Sequence, residues 1–190
     1  MKEVEILVMI LTEDFNKVRE QLSKVSSYID SKSVKDTYFY DPLRKNLQPD
    51  ENLAIYECFR VREKENTNYL TYKVDNFDEN GKWLYSDEHE TIIDNAKIVF
   101  DIITKLGLKE LVVVDMIKEK YENDEYIITI EYVKNLGVFL EVENKLQLEN
   151  EEEIVKKKGE IQSFIDSLGF ETSEDVGIGK PELLLKKKHL

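Results

Sequence analysis

Five places in this chain set two like charges two residues apart within a run that alternates charged and apolar residues: Glu3 and Glu5, Arg60 and Arg62, Glu88 and Glu90, Lys118 and Lys120, and Glu141 and Glu143. In a β-strand, residues two apart share a face. Each pair therefore points to one side of its strand, with apolar residues on the other, such as Val4, Ile6 and Val8, Phe59 and Val61, or Leu140 and Val142. Lys73 and Glu131 hold equivalent places in two further alternating runs. An antiparallel sheet with one wet face would alternate in the same way. The chain also carries amphipathic helical segments, however, and these need the apolar faces to pack on. The charged faces are then left to face one another, which happens when the sheet closes. Seven acids and five bases would line that interior, and buried charges must be paired or hold ions. A lumen rich in both signs suits a polyphosphate with divalent metal. Arg60, Arg62, Lys73, Lys118 and Lys120 would take phosphate oxygens. The acidic pairs would hold Mg²⁺ or Mn²⁺ bridging those oxygens.

The remaining pattern agrees with closure. Strands are expected over residues 3–12, 34–40, 52–64, 68–74, 88–93, 109–122, 125–135 and 137–146, mostly joined by short polar turns. Helices are expected over 13–29 with Asp14 as N-cap, over 94–107 ending on Gly107, and over 150–170 closed by Gly169. The tail from 180 to 190 reads as one last short strand. Strand, helix and three strands occur twice, so the chain reads as two similar halves. About eight hairpin-linked strands favour an antiparallel barrel with helices outside, an α+β fold. Residues 1–190 read as a single domain.

Composition limits the partners. The formal net charge is −13, which argues against nucleic acid or an anionic membrane as a general partner. A single cysteine, Cys58, allows no intrachain disulfide, and charged residues interrupt the first twenty positions, so no signal peptide is read. A reducing cytoplasm is the expected compartment. His89 and His189 lack ligand partners at useful spacing and read as surface residues.

The order of these motifs resembles a known family. Glu3-Val-Glu5, "KDTYF", "FRVR", "LTYK", "EHE", "IKEK", "IEYVKNLGVFLEVE" and the tail "GKPELL" follow one another as in the CYTH domain, the triphosphate tunnel family of class IV adenylate cyclases, thiamine triphosphatases and inorganic triphosphatases. The run ending at Glu143 is the most specific match. The chain departs from the pattern at Leu7, where the family has lysine, at Lys120 for arginine, at Glu131 for aspartate, and at Lys180 for a tail tyrosine. The resemblance implies a tunnel enzyme closest to the cyclase branch, converting ATP to cyclic AMP and pyrophosphate. The alternatives on the same site are a triphosphatase acting on inorganic or thiamine triphosphate, or a non-catalytic polyphosphate or nucleotide binder. Glu3, Glu5, Glu141 and Glu143 would hold metal. Glu88, Glu90, Glu131 and Lys180 would complete the lining, no catalytic base is assigned, and a homodimer is compatible with the reading.

Overall fold

A computed structural model describes residues 2–188. The chain runs β1 (Lys2–Glu3), β2 (Glu5–Met9), α1 (Phe15–Val25), β3 (Ser27–Tyr40), a 3₁₀ turn (Lys45–Leu47), β4 (Glu57–Lys64), β5 (Thr67–Phe77), β6 (Trp83–Ile93), α2 (Ala96–Lys105), β7 (Lys109–Glu122), β8 (Tyr126–Val133), β9 (Gly137–Asn144), α3 (Glu151–Ser167) and α4 (Lys180–Lys188). All strands join one antiparallel sheet in the order β1-β6-β5-β4-β3-β7-β8-β9-β2. The two ends of that order are consecutive in the chain. The N-terminal strand pairs first with β6 and then, past Val4, with β9, so it closes the barrel covalently. Nine strands thus occupy eight positions. Among the described residues β1 pairs with Ser86 and Asp87, and residues 88–93 of β6 lie beyond that pairing, so closure is incomplete there. The two sequence halves meet along β3 and β7, each 14 residues long.

The outward apolar faces carry the helices, as the alternation requires. Val4, Ile6, Val8, Ile128, Ile130, Leu140 and Val142 pack with Val18 and Leu22 of α1 and with Ile154, Ile161 and Ile165 of α3. These positions recur at helical spacing on α3 and form its one buried stripe. Ala96 and Ile103 of α2 cover Phe39 and Val61. Asp14 caps α1 by accepting from the Lys17 amide at 3.1 Å. Gly107 and Gly169 sit at φ +97° and +72° just past α2 and α3, a conformation that favours glycine.

Several expected boundaries move. α1 ends at Val25 rather than at residue 29, and β3 begins at Ser27. Its polar first half shows no alternation, but pairing with the equally long β7 draws it into the sheet, where Tyr28 packs on Tyr121. β4 begins at Glu57, not 52, because Leu53 turns at φ +62° and Asp50 accepts from the amides of Asn52 and Ala54. β6 begins at Trp83, before residue 88. The tail is not a strand. Through Lys188 it forms α4, which seats Leu184 and Leu185 against Leu7, Met116 and Phe139 at one end of the barrel. Three consecutive leucines lack the apolar–polar alternation that marks the lumen strands. The rest of that tail, with His189, lies outside the described residues. Among the described residues, no helix is long and apolar enough to cross a membrane.

Candidate functional site

The barrel encloses a cavity of about 630 Å³. Its lining runs along the strands from Lys32, Lys64 and Lys120 at one end to Tyr56, Phe77, Trp83 and the tail segment before α4 at the other. Cys58 and Lys64 on β4 lie six residues apart, roughly 20 Å of strand. Eight carboxylates and eight cationic side chains reach the cavity surface, so its formal charge is zero although the chain carries −13.

Period two places the basic residues as expected, and each meets an acid. Arg62 forks onto Asp36 at 2.7 and 2.8 Å, while Arg60 lies 3.5 Å from Asp36 and 3.6 Å from Glu90. Asp36 is 1% exposed. Burial alone would raise its carboxyl, but the charges of Arg62 and Arg60 outweigh that and hold it well below the usual carboxylate range. Lys73 binds Glu3 and, at 2.7 Å, Glu88. Lys118 binds Glu131 and lies 3.5 Å from Glu141. Lys120 sits at the rim, a third exposed, 3.7 Å from Glu122. Lys180 reaches in from α4 to Glu131 and Glu141. Glu131 is 0% exposed between these two lysines, behind the cavity surface rather than on it. Glu90 accepts from Thr71 Oγ1 at 2.8 Å. Glu88 and Glu90 line a second recess around the free edge of β6, shared with Glu3 and Glu143.

Glu5 and Glu143 differ from the other acids of the charged pairs. They stand directly opposite each other on β2 and β9, and neither forms an ion pair among the described residues. Burial pushes the Glu5 carboxyl well up, and Glu141 and Glu3 push it further. Burial, Glu3 and Glu141 together raise Glu143 to about 7. Among the described residues, no three His, Cys, Asp or Glu side chains are grouped to hold a metal on their own. Two facing carboxylates short of positive charge still fit a hard divalent cation. Mg²⁺ commonly takes one or two carboxylates and completes its shell with water and phosphate oxygens.

The opposite imbalance occurs at Lys64, in the lysine end where Lys32 already lies 2.6 Å from Asp30. Burial, followed by the charges of Lys32, Arg62 and Lys118, lowers the Lys64 ammonium, and Asp30 only partly offsets them. Lys32, Lys64 and Asp36 were not among the expected site residues. Asp36 shares a face with Tyr38 by the same period of two, a signal present in "KDTYF". Lys32 lies in the polar half of β3, where no alternation marks a face. Cys58 also lines the cavity, and burial pushes its thiol up to about 12, so it is not a nucleophile at neutral pH. His89 is exposed on the outer side of β6.

Comparison with known proteins gives the lineage. A Methanocaldococcus jannaschii protein named as a putative adenylate cyclase is 35% identical over 156 residues, which cover 82% of this chain and 83% of that one. The solved PH1819 protein of Pyrococcus horikoshii superimposes with a TM-score of 0.80 at 26% identity, covering 97% of this chain and 99% of that one. A Hippeastrum protein, described as a putative adenylyl cyclase with a dominant triphosphatase activity, shares the fold at a TM-score of 0.66 and 15% identity, with coverage of 97% and 96%. The CYTH domain matches residues 1–174, and with a curated relative over most of its length this chain belongs to the CYTH family.

Proposed function

We propose that the lumen binds a nucleoside triphosphate with Mg²⁺ or Mn²⁺ and turns it over as a class IV adenylate cyclase does, releasing cyclic AMP and pyrophosphate. The observation that carries this is the polarity of the cavity. Lys32, Lys64, Arg62 and Lys120 gather four cations at one end, where Asp30, Asp36 and Glu122 pair with three and Lys64 has no ion pair among the described residues, an arrangement suited to the terminal phosphates. About 20 Å along the strands, the exposed rings of Tyr56 and Phe77, 5.6 Å apart, and Trp83 offer a stacking surface for a base. An inorganic triphosphate would leave that aromatic end unused.

The chain's own residues then have separate tasks. Arg60, Arg62, Lys73, Lys118 and Lys120 orient the phosphate chain, and the carboxylates paired with them keep these cations aimed. Glu5 and Glu143, flanked by Glu3 and Glu141, would hold the metal, whose contribution is positive charge where phosphate charge develops. In the reaction the ribose 3′ oxygen attacks the α-phosphorus. The bond from that phosphorus to the bridging oxygen breaks, pyrophosphate departs, and the hydroxyl proton passes to solvent or a lumen carboxylate. Positioning and charge account for most phosphoryl-transfer catalysis, which agrees with the lack of one obvious base. The single Cys58, half-buried in the lumen wall, has no partner for an intrachain disulfide, which fits a reducing cytoplasm.

A second reading is a triphosphatase, in which water attacks the terminal phosphorus; the Hippeastrum protein's described activity on this fold favours it. Incubation with ATP, tripolyphosphate or thiamine triphosphate plus Mn²⁺, followed by separation of products, distinguishes the two. Cyclic AMP with equimolar pyrophosphate is expected. Phosphate together with the matching diphosphate, and no cyclic AMP, would establish the triphosphatase, and binding without turnover would leave a non-catalytic binder.

A further inference from the structure

Lys180 belongs to α4, outside the sheet, yet its ammonium lies at the lumen wall between Glu131 and Glu141. Lys118 reaches the same two carboxylates from β7. On Lys180 these contacts occupy two of the three N–H donors and leave one for another acceptor. Directly across the β2–β9 register from Glu141 stands Leu7, an apolar side chain in line with Glu5 on the inward face of β2. β2 itself supplies no cation there. The tail does, and it is fastened to that same strand. Ser173 donates its amide to the Met9 carbonyl at 2.9 Å, Val176 donates to that of Leu7 at 2.8 Å, and Ile10 bridges to Thr172.

We infer that Lys180 is a phosphate-contacting residue of the triphosphate site, delivered by α4 to the position that Leu7 leaves uncharged. The inference rests on the reading above that the lumen holds a triphosphate. Cross-strand partners have Cβ atoms about 5 Å apart, so a lysine at position 7 would reach the same carboxylate. The spare proton on Lys180 then meets a phosphate oxygen while Glu131 and Glu141 hold the ammonium in place. Ligand binding and docking of α4 become linked: each favours the other.

The test is calorimetry with tripolyphosphate in Mg²⁺ on the wild type, Lys180→Met, and Lys180→Met combined with Leu7→Lys, alongside amide exchange of residues 180–188. Loss of one charge-assisted bond is expected to weaken binding roughly ten- to a hundredfold in Lys180→Met, and Leu7→Lys should restore at least tenfold. Tripolyphosphate should slow exchange across α4 in the wild type. Wild-type affinity in Lys180→Met would overturn the inference while leaving the lumen reading intact. So would weakening that Leu7→Lys does not relieve in variants of unchanged unfolding temperature, since Lys180 would then only tether the helix. If Lys180→Met does not fold, the wild-type exchange decides, and unchanged exchange on binding overturns the inference. Absence of wild-type binding removes the lumen reading and this inference together.

Discussion

Asp36 sits between two guanidinium groups with almost no access to water, and its environment shows what charge costs at this depth. Arg62 satisfies both of its oxygens, so Asp36 is stable only while that fork exists. Replacing Arg62 by methionine leaves a buried carboxylate with the more distant Arg60 as partner. Loss of one member of a buried pair typically costs about 3–5 kcal/mol. Urea unfolding of Arg62→Met should show a loss of that size, and adding Asp36→Asn should recover part of it. A loss below about 1 kcal/mol would mean that water reaches the pair. The depressed Asp36 carboxyl also fixes a sign: its contribution is present above the unfolded carboxylate pKa of about 4 and disappears on acidification below it.

Glu182 in the first turn of α4 accepts from the Ile55 amide at 3.0 Å and from the Gly179 amide, which ties the helix to the loop before β4. Burial raises this carboxyl to about 7 despite both hydrogen bonds. A carboxyl raised in the folded state favours folding while protonated, so its contribution declines as pH rises from its ordinary value near 4.5 to about 7. Glu182→Gln removes the ionisation and keeps one acceptor. The unfolding temperature of the wild type relative to this variant should therefore fall between pH 5 and pH 8. A constant difference would show that Glu182 does not titrate there. The strands facing the lumen were readable from sequence because alternation directly encodes which face turns inward. α4 was not, because its leucines find their partners, Leu7, Met116 and Phe139, only once β2, β7 and β9 have come together. The distribution of Lys32 and Lys64 at one end and Trp83 at the other was equally hidden. It depends on register and on the irregularities in β3 between Tyr28 and Asp30 and between Tyr38 and Phe39, which no local pattern specifies.

At the scale of the molecule, a neutral lumen inside a chain of charge −13 offers a highly charged anion no net attraction. Affinity for tripolyphosphate should therefore rise sharply with Mg²⁺, and calorimetry in chelator should show weak or no binding. Comparable affinity in both conditions would mean that the lysine end suffices without metal. Glu141→Gln should diminish the metal-dependent part. Closure of the barrel by β1 and β2 has a further consequence during synthesis. Leu7 and its neighbours leave the ribosome long before Glu141, their pairing partner on β9, has been made. Until then β2 has no strand to complete, and β8, paired with β7 on one side, presents its other edge to the solvent. Nascent chains stalled before β9 should be prone to edge-to-edge association, and those stalled after it should be protected.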